Sequence, residues 1–164
     1  MRKLCFLIAL VALSNLSLFA QQEIVRVYAD NSNQVHVVFK NNHETAVAGE
    51  NGQIGIDSVK ISKDGQTAGW LALYSDPDQG SQLAGTLNLW RNDKIVRTFQ
   101  TDQTFWSWSF YADAPQVAYH VGPTHGEHAS HCELHEIVSG KLLASWEGDL
   151  DDPNRPQWTK GLEH

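Results

Sequence analysis

Five of the eight histidines in this chain, His120, His125, His128, His131 and His135, fall within sixteen residues. Imidazole nitrogens at that density can hold Zn, Cu or Ni. Their spacing matches no standard ligand pattern, and a solvated sheet face with a polar loop accounts for them without any metal. Both readings stay open at this point. Gly122-Pro123 should end one strand, because proline cannot continue a ladder, and the link to Cys132 should run over the surface with His125 and His128 exposed. If Val121 pairs with Cys132, His120 stands opposite Glu133 with His131 and His135 diagonal to it, so all four share one face. Val117, Tyr119, Val121, Cys132 and Leu134 then form an apolar face on the other side. That alternation points the Cys132 thiol into the core, where a lone cysteine is usually inert.

Other residues offer less. Trp106-Ser-Trp108-Ser-Phe110 puts three aromatics on one face of a strand, which suits either a stacking platform for sugars, with Trp106 and Trp108 as ligand-binding residues, or plain core. The loop carboxylates Asp76 and Asp78, and Asp149, Asp151 and Asp152, lack a calcium-loop spacing with its turn glycine and read as solvated loops. The sequence shows neither a nucleophile elbow nor a phosphate-cradling glycine loop. A hydrolase-like enzyme therefore ranks third among the functional readings.

The elements that must position these residues begin with a leader. Arg2 and Lys3 precede an apolar run from Leu4 to Leu13, then Ser14-Asn15 and a second apolar stretch ending before Ala20. This outlines a signal peptide over residues 1–20, cleaved before Gln21, rather than a membrane span, for which the apolar run is too short. The expected location is periplasmic or secreted, with no span after cleavage. Cys5 leaves with the leader, so Cys132 is the only thiol of the mature chain and no internal disulfide is possible. About 144 residues remain, enough for one domain with its own core, residues 21–164. Six Trp, four Tyr and six Phe supply bulk. Without Arg2 and Lys3, ten basic residues face nineteen acidic ones, a net charge of −9 with histidine neutral. With nothing basic clustered, the balance argues against nucleic acid or an anionic membrane surface as partner.

Short runs rich in Val, Ile, Thr and aromatics recur between Gly, Asn and Asp turns, the pattern of antiparallel strands. Strands are predicted at Ile24–Ala29, Val35–Lys40, Val59–Ser62, Thr67–Tyr74, Thr86–Arg91, Lys94–Phe99, Phe105–Tyr111, Gln116–Val121, Cys132–Val138 and Lys141–Trp146. Asn92-Asp93 and Ser139-Gly140 should close two-residue hairpins, with longer turns at Asp64-Gly65 and Asp113-Ala114. The turns expose a repeat: Val59–Trp70 aligns with Trp108–Tyr119 at an offset of 49, placing Asp64 over Asp113 and Trp70 over Tyr119, and Lys94–Phe99 aligns with Lys141–Trp146 at an offset of 47. Each unit, at about 55–99 and 105–146, reads as a four-stranded antiparallel sheet.

With Ile61-Ser-Lys-Asp-Gly65 and Phe110-Tyr-Ala-Asp-Ala114 as openings and Val138-Ser-Gly-Lys-Leu142 as a closing hairpin, the chain resembles WD-like propeller repeats of the TolB type over roughly Val59 to Trp146. Lys63 and Ala112 stand where that family places proline. A closed propeller needs at least about four blades, and here two are clear, with an N-terminal hairpin that the segment near Trp158 could complete. The expected fold is all-β, two to three four-stranded antiparallel blade-like sheets packed face to face, a propeller fragment or a sandwich. The resemblance implies a binding scaffold, more a non-catalytic module than an enzyme. The leading reading is thus an exported module recognising a protein or peptide through blade loops or an open sheet face, with self-association as one way to cover Trp-rich faces. The alternative is a metal-binding protein using the His120–His135 hairpin with Zn or Cu.

Overall fold

The computed structural model of the chain describes residues 22–76, 80–111, 115–123 and 130–162. The leader, Asp78, the Asp113 turn, and His125 and His128 lie outside the described residues. The protein is all-β, with three antiparallel sheets, none closed into a barrel. No helix among the described residues is long and apolar enough to cross a membrane.

Each sheet is a simple meander. The first holds β1 (Ile24–Ala29), β2 (Val35–Phe39) and β3 (Glu44–Val47). In the second are β4 (Gly55–Ile61), β5 (Ala68–Ser75), β6 (Gln82–Arg91) and β7 (Lys94–Gln100). The third consists of β8 (Thr104–Tyr111), β9 (Gln116–Gly122), β10 (Ser130–Glu136) and β11 (Leu142–Gly148). The third strand of the first sheet is β3, not the segment near Trp158, which instead forms a single 3₁₀ turn at Gln157–Thr159. With only four residues, β3 has too little alternation to stand out from its loops.

Three apolar layers hold the sheets together. Ile24, Val35, Val37 and Phe39 of the first sheet meet Ala68, Trp70 and Trp90 of the second. On its opposite face the second sheet offers Leu71, Leu87 and Leu89 to Phe105, Trp108, Val117, Tyr119 and Val121 of the third. The far face of the third sheet carries Ala118, Cys132 and Leu134, which Leu150 and Leu162 of the C-terminal segment cover. The third sheet is therefore buried on both faces. Trp70 and Tyr119 both lie on the second strand of their sheet and both face the preceding sheet.

Local chemistry explains the turns. Asn92 and Asp93 both have positive φ, 53° and 58°, the backbone of a tight I′ turn whose twist suits a hairpin. The Ser139-Gly140 link is longer than two residues: β10 ends at Glu136, and the Glu136 N–H donates to the Lys141 carbonyl across four residues. The reason is Ile137, which leaves the ladder to bury its side chain in the core while its N–H donates to Pro115 O at 2.8 Å. Gly69 is small because Trp108 lies against it. A Cβ there would sit 2.6 Å from the Trp108 ring and 2.8 Å from Leu89.

Candidate functional site

The β9–β10 register differs from the predicted one by a single residue. Cys132 pairs with His120 and Glu133 with Tyr119, so side-chain faces are exchanged on one strand relative to the other. His120 therefore shares its face with Cys132 and Leu134, while His131, Glu133 and His135 share theirs with Tyr119 and Val121. The expectation that His120, His131, His135 and Glu133 lie on one face is corrected accordingly. A one-face apolar pattern was the wrong guide because this sheet buries apolar residues on both sides.

The exchange builds a polar network that the sequence did not announce. Tyr119 on β9 donates its hydroxyl hydrogen to Glu133 Oε2 on β10. His135 Nε2 stands 2.6 Å from the same oxygen and 3.0 Å from the Tyr119 hydroxyl. Its Nδ1 is 3.0 Å from Gly140 O. His131 Nε2 approaches Glu133 Oε1 at 3.0 Å, and its Nδ1 lies 3.4 Å from Glu147 on β11. Aromatic rings frame the cluster: Tyr119 stacks on His135 at 5.3 Å and meets Phe105 edge-on at 5.2 Å, with Phe99 of β7 at 5.3 Å.

Electrostatics follow from this packing. Burial alone would push the Glu133 carboxyl up, but hydrogen bonds from Tyr119, His131 and His135 outweigh it and hold the group at about 2. Burial, reinforced by the bond to ionised Glu133, lifts the Tyr119 phenol far above its ordinary value. The phenol thus stays protonated and the carboxylate stays ionised, each consumed by its neighbours.

The network forms one side of an open cleft of about 570 Å³. Gln100 at the end of β7 and Thr101, Asp102 and Gln103 of the link to β8 also line it. Phe105, Tyr119 and Val121 also line it, together with His131, Glu133 and Glu147. The cleft is open, and its accessible lining is mainly polar, with the aromatic and apolar residues reaching it only at their edges.

The other predicted residues are placed apart from this cleft. A bulge in the β8–β9 ladder, between Phe105 and Ser107, separates the two tryptophans. Trp106 is 47% exposed, whereas Trp108 is fully buried, so they do not form one stacking platform. Trp108 Nε1 donates to Ser58 O at 3.1 Å, and Lys60 Nζ donates to the Trp108 carbonyl while lying 5.1 Å from its ring centroid. Ser58 offers that carbonyl because it sits at positive φ in a bulge of β4. His120 is buried beside the Cys132 layer, away from His131 and His135. Among the described residues, no group of three or more His, Cys, Asp or Glu side chains is arranged to hold a metal ion.

A second cluster of related chemistry lies on the outer face of the first sheet. His36 on β2 places Nδ1 2.7 Å from Glu44 and Nε2 3.0 Å from Asp30, and its ring stacks on Tyr28 at 4.7 Å. Tyr28 donates to Glu44 at 2.9 Å. Tyr28 and His36 stand opposite one another on the two strands that the sequence predicted, whereas Glu44 lies on β3, which gave no strand signal. The sequence matches no protein-family model and no curated relative.

Proposed function

We propose that the chain is an exported binding module that recognises a protein or peptide segment in the cleft lined by Gln100–Gln103 and strands β8–β11 of the third sheet. The observation that carries this reading is the cleft itself, an open, mainly polar recess in which hydrogen-bonding groups are set on the strands of the third sheet. Part of its lining is a loop, and loops on a rigid scaffold are where recognition is usually built. The propeller-like repeat reading supports a scaffold role, and residues 1–20, read as a signal peptide, support export.

The test is capture. The mature chain, immobilised and exposed to the envelope or secreted fraction of its own host, should retain a partner in stoichiometric amount. Thr101→Trp, which fills the cleft mouth from the loop side, should abolish retention while leaving the thermal midpoint unchanged. A wild-type chain that retains nothing, or a partner that Thr101→Trp still holds, removes the reading.

A further inference from the structure

The lining of the cleft is charged in one sense. Asp102 stands on the loop side, and Glu133 and Glu147 on the sheet side, and the described lining includes no Lys or Arg. The three carboxylates are not equivalent. Glu133 already accepts from Tyr119, His131 and His135 and has little left to offer a ligand. The Glu147 side chain is 75% exposed, and among the described residues its close partner is His131 Nδ1, at the long distance of 3.4 Å. Asp102 is exposed on the link between β7 and β8. Two accessible carboxylates therefore face a cleft whose inner surface is Phe105, Tyr119 and Val121, all nearly buried.

Such a surface is matched by a side chain with an apolar stem and a cationic tip. The head of a lysine or arginine can reach the carboxylates at the rim, while its methylenes pass over the narrow apolar edge that Phe105 and Val121 leave uncovered. A neutral aliphatic side chain satisfies the apolar surface but leaves the carboxylates without a counter-charge. An acidic one is repelled by them and by a chain whose formal net charge is −7. Gln100 and Gln103 can hydrogen-bond the main chain on either side of the inserted residue, since each amide both donates and accepts.

Resting on the binding-module reading above, we infer that the occupant is a peptide segment that inserts a lysine or arginine side chain into this cleft, with Glu147 and Asp102 as the residues that read its charge.

Blocked octapeptides of Gly, Ser and Ala with a central Lys, Arg, norleucine or Glu, titrated into the mature chain by calorimetry, test the inference. Norleucine keeps the lysine stem and removes only the amine. The Lys and Arg peptides should bind at least about tenfold more tightly than the norleucine peptide, a difference of about 1.4 kcal/mol, and added salt should weaken them. The double variant Asp102→Asn, Glu147→Gln should erase the preference. Glu147→Lys should turn it toward the Glu peptide. Both positions are exposed, so these variants fold, and their thermal midpoints check it. Equal binding of the norleucine and lysine peptides overturns the charge assignment yet leaves the module reading intact. Spermidine binding as tightly as the lysine peptide replaces the peptide with a small polyamine and also overturns it. If no peptide of the panel binds, the inference falls, while the Thr101→Trp capture experiment decides the module reading on its own.

Discussion

Tyr119 and Glu133 stand directly opposite one another across β9 and β10, and the phenol donates to the carboxylate. That one pair orders the cleft wall, because His131 and His135 both converge on the same carboxylate. Replacing Tyr119 by Phe keeps the ring against Phe99 and Phe105 but removes one of the three donors to Glu133. We expect a loss of about 1–2 kcal/mol in urea denaturation and a rise of the Glu133 carboxyl from about 2, read by carbon-detected NMR titration. An unchanged Glu133 titration would separate the phenol from the network.

The depressed Glu133 carboxyl also sets an acid limb of stability. A carboxyl whose folded value lies below its ordinary 4.5 contributes stability that is complete above that value and lost as the pH falls toward about 2. Urea midpoints should decline over that window in the wild type and decline less in Glu133→Gln. Parallel curves for the two proteins would place the acid transition elsewhere.

His36 sets the opposite limb. The hydrogen bond to Asp30 lifts it above its ordinary 6.5, burial opposes, and the bond to Glu44 adds to the rise. A group raised on folding contributes stability that is complete below 6.5 and lost as the pH climbs through the folded value. His36→Gln should flatten the stability profile above neutrality and, because His36 helps to hold the Asp30 and Glu44 carboxyls below their ordinary values, should also soften the acid limb. The Hε1 resonance of His36 should titrate above the ordinary imidazole range.

Gly69 and Trp108 should be inseparable in mutagenesis. Gly69→Val puts methyl groups where the Trp108 ring already lies, and we expect a loss of about 2 kcal/mol. Trp108→Ala empties a fully buried site and should cost about 3–5 kcal/mol, whereas Trp106→Ala, at a half-exposed position, should change little. The double variant Gly69→Val, Trp108→Ala should be more stable than the sum of the two losses, since each relieves the other.

Cys132 should be silent in the folded protein. Burial raises its thiol to about 11, and the side chain is fully covered. A disulfide reagent at neutral pH should label it only after denaturant is added. Labelling at native conditions would mean that the C-terminal cover formed by Leu150 and Leu162 opens readily.

Much of the architecture was legible in the chain. The alternating runs located ten of the eleven strands to within a few residues, because period-two patterning and Asn, Asp and Gly turns are local properties. The Asn92-Asp93 hairpin followed from two residues that tolerate positive φ. What escaped was either too short, as with β3, or a departure from the ladder that a core residue imposed, as with Ile137 and the bulge beside Trp106. The accepted faces of β9 and β10 were wrong for a different reason. A tight turn would have pinned their pairing, but a seven-residue link from Pro123 to Ala129 separates them, and link length of that kind leaves register to the packing.

The sequence alone was sufficient for the all-β class, the strand positions and the meander of the third sheet, since these depend on neighbours along the chain. Only the tertiary structure decided which face each histidine occupies. The second sheet packs on one side of the third and the C-terminal segment on the other, so both faces demand apolar residues and the pattern carries no sign of which is outward. Packing chose the register that buries Cys132 and Leu134 under Leu150 and Leu162 and sets Glu133 against Tyr119. The cleft, the network that walls it and its acidic rim all follow from that one-residue choice.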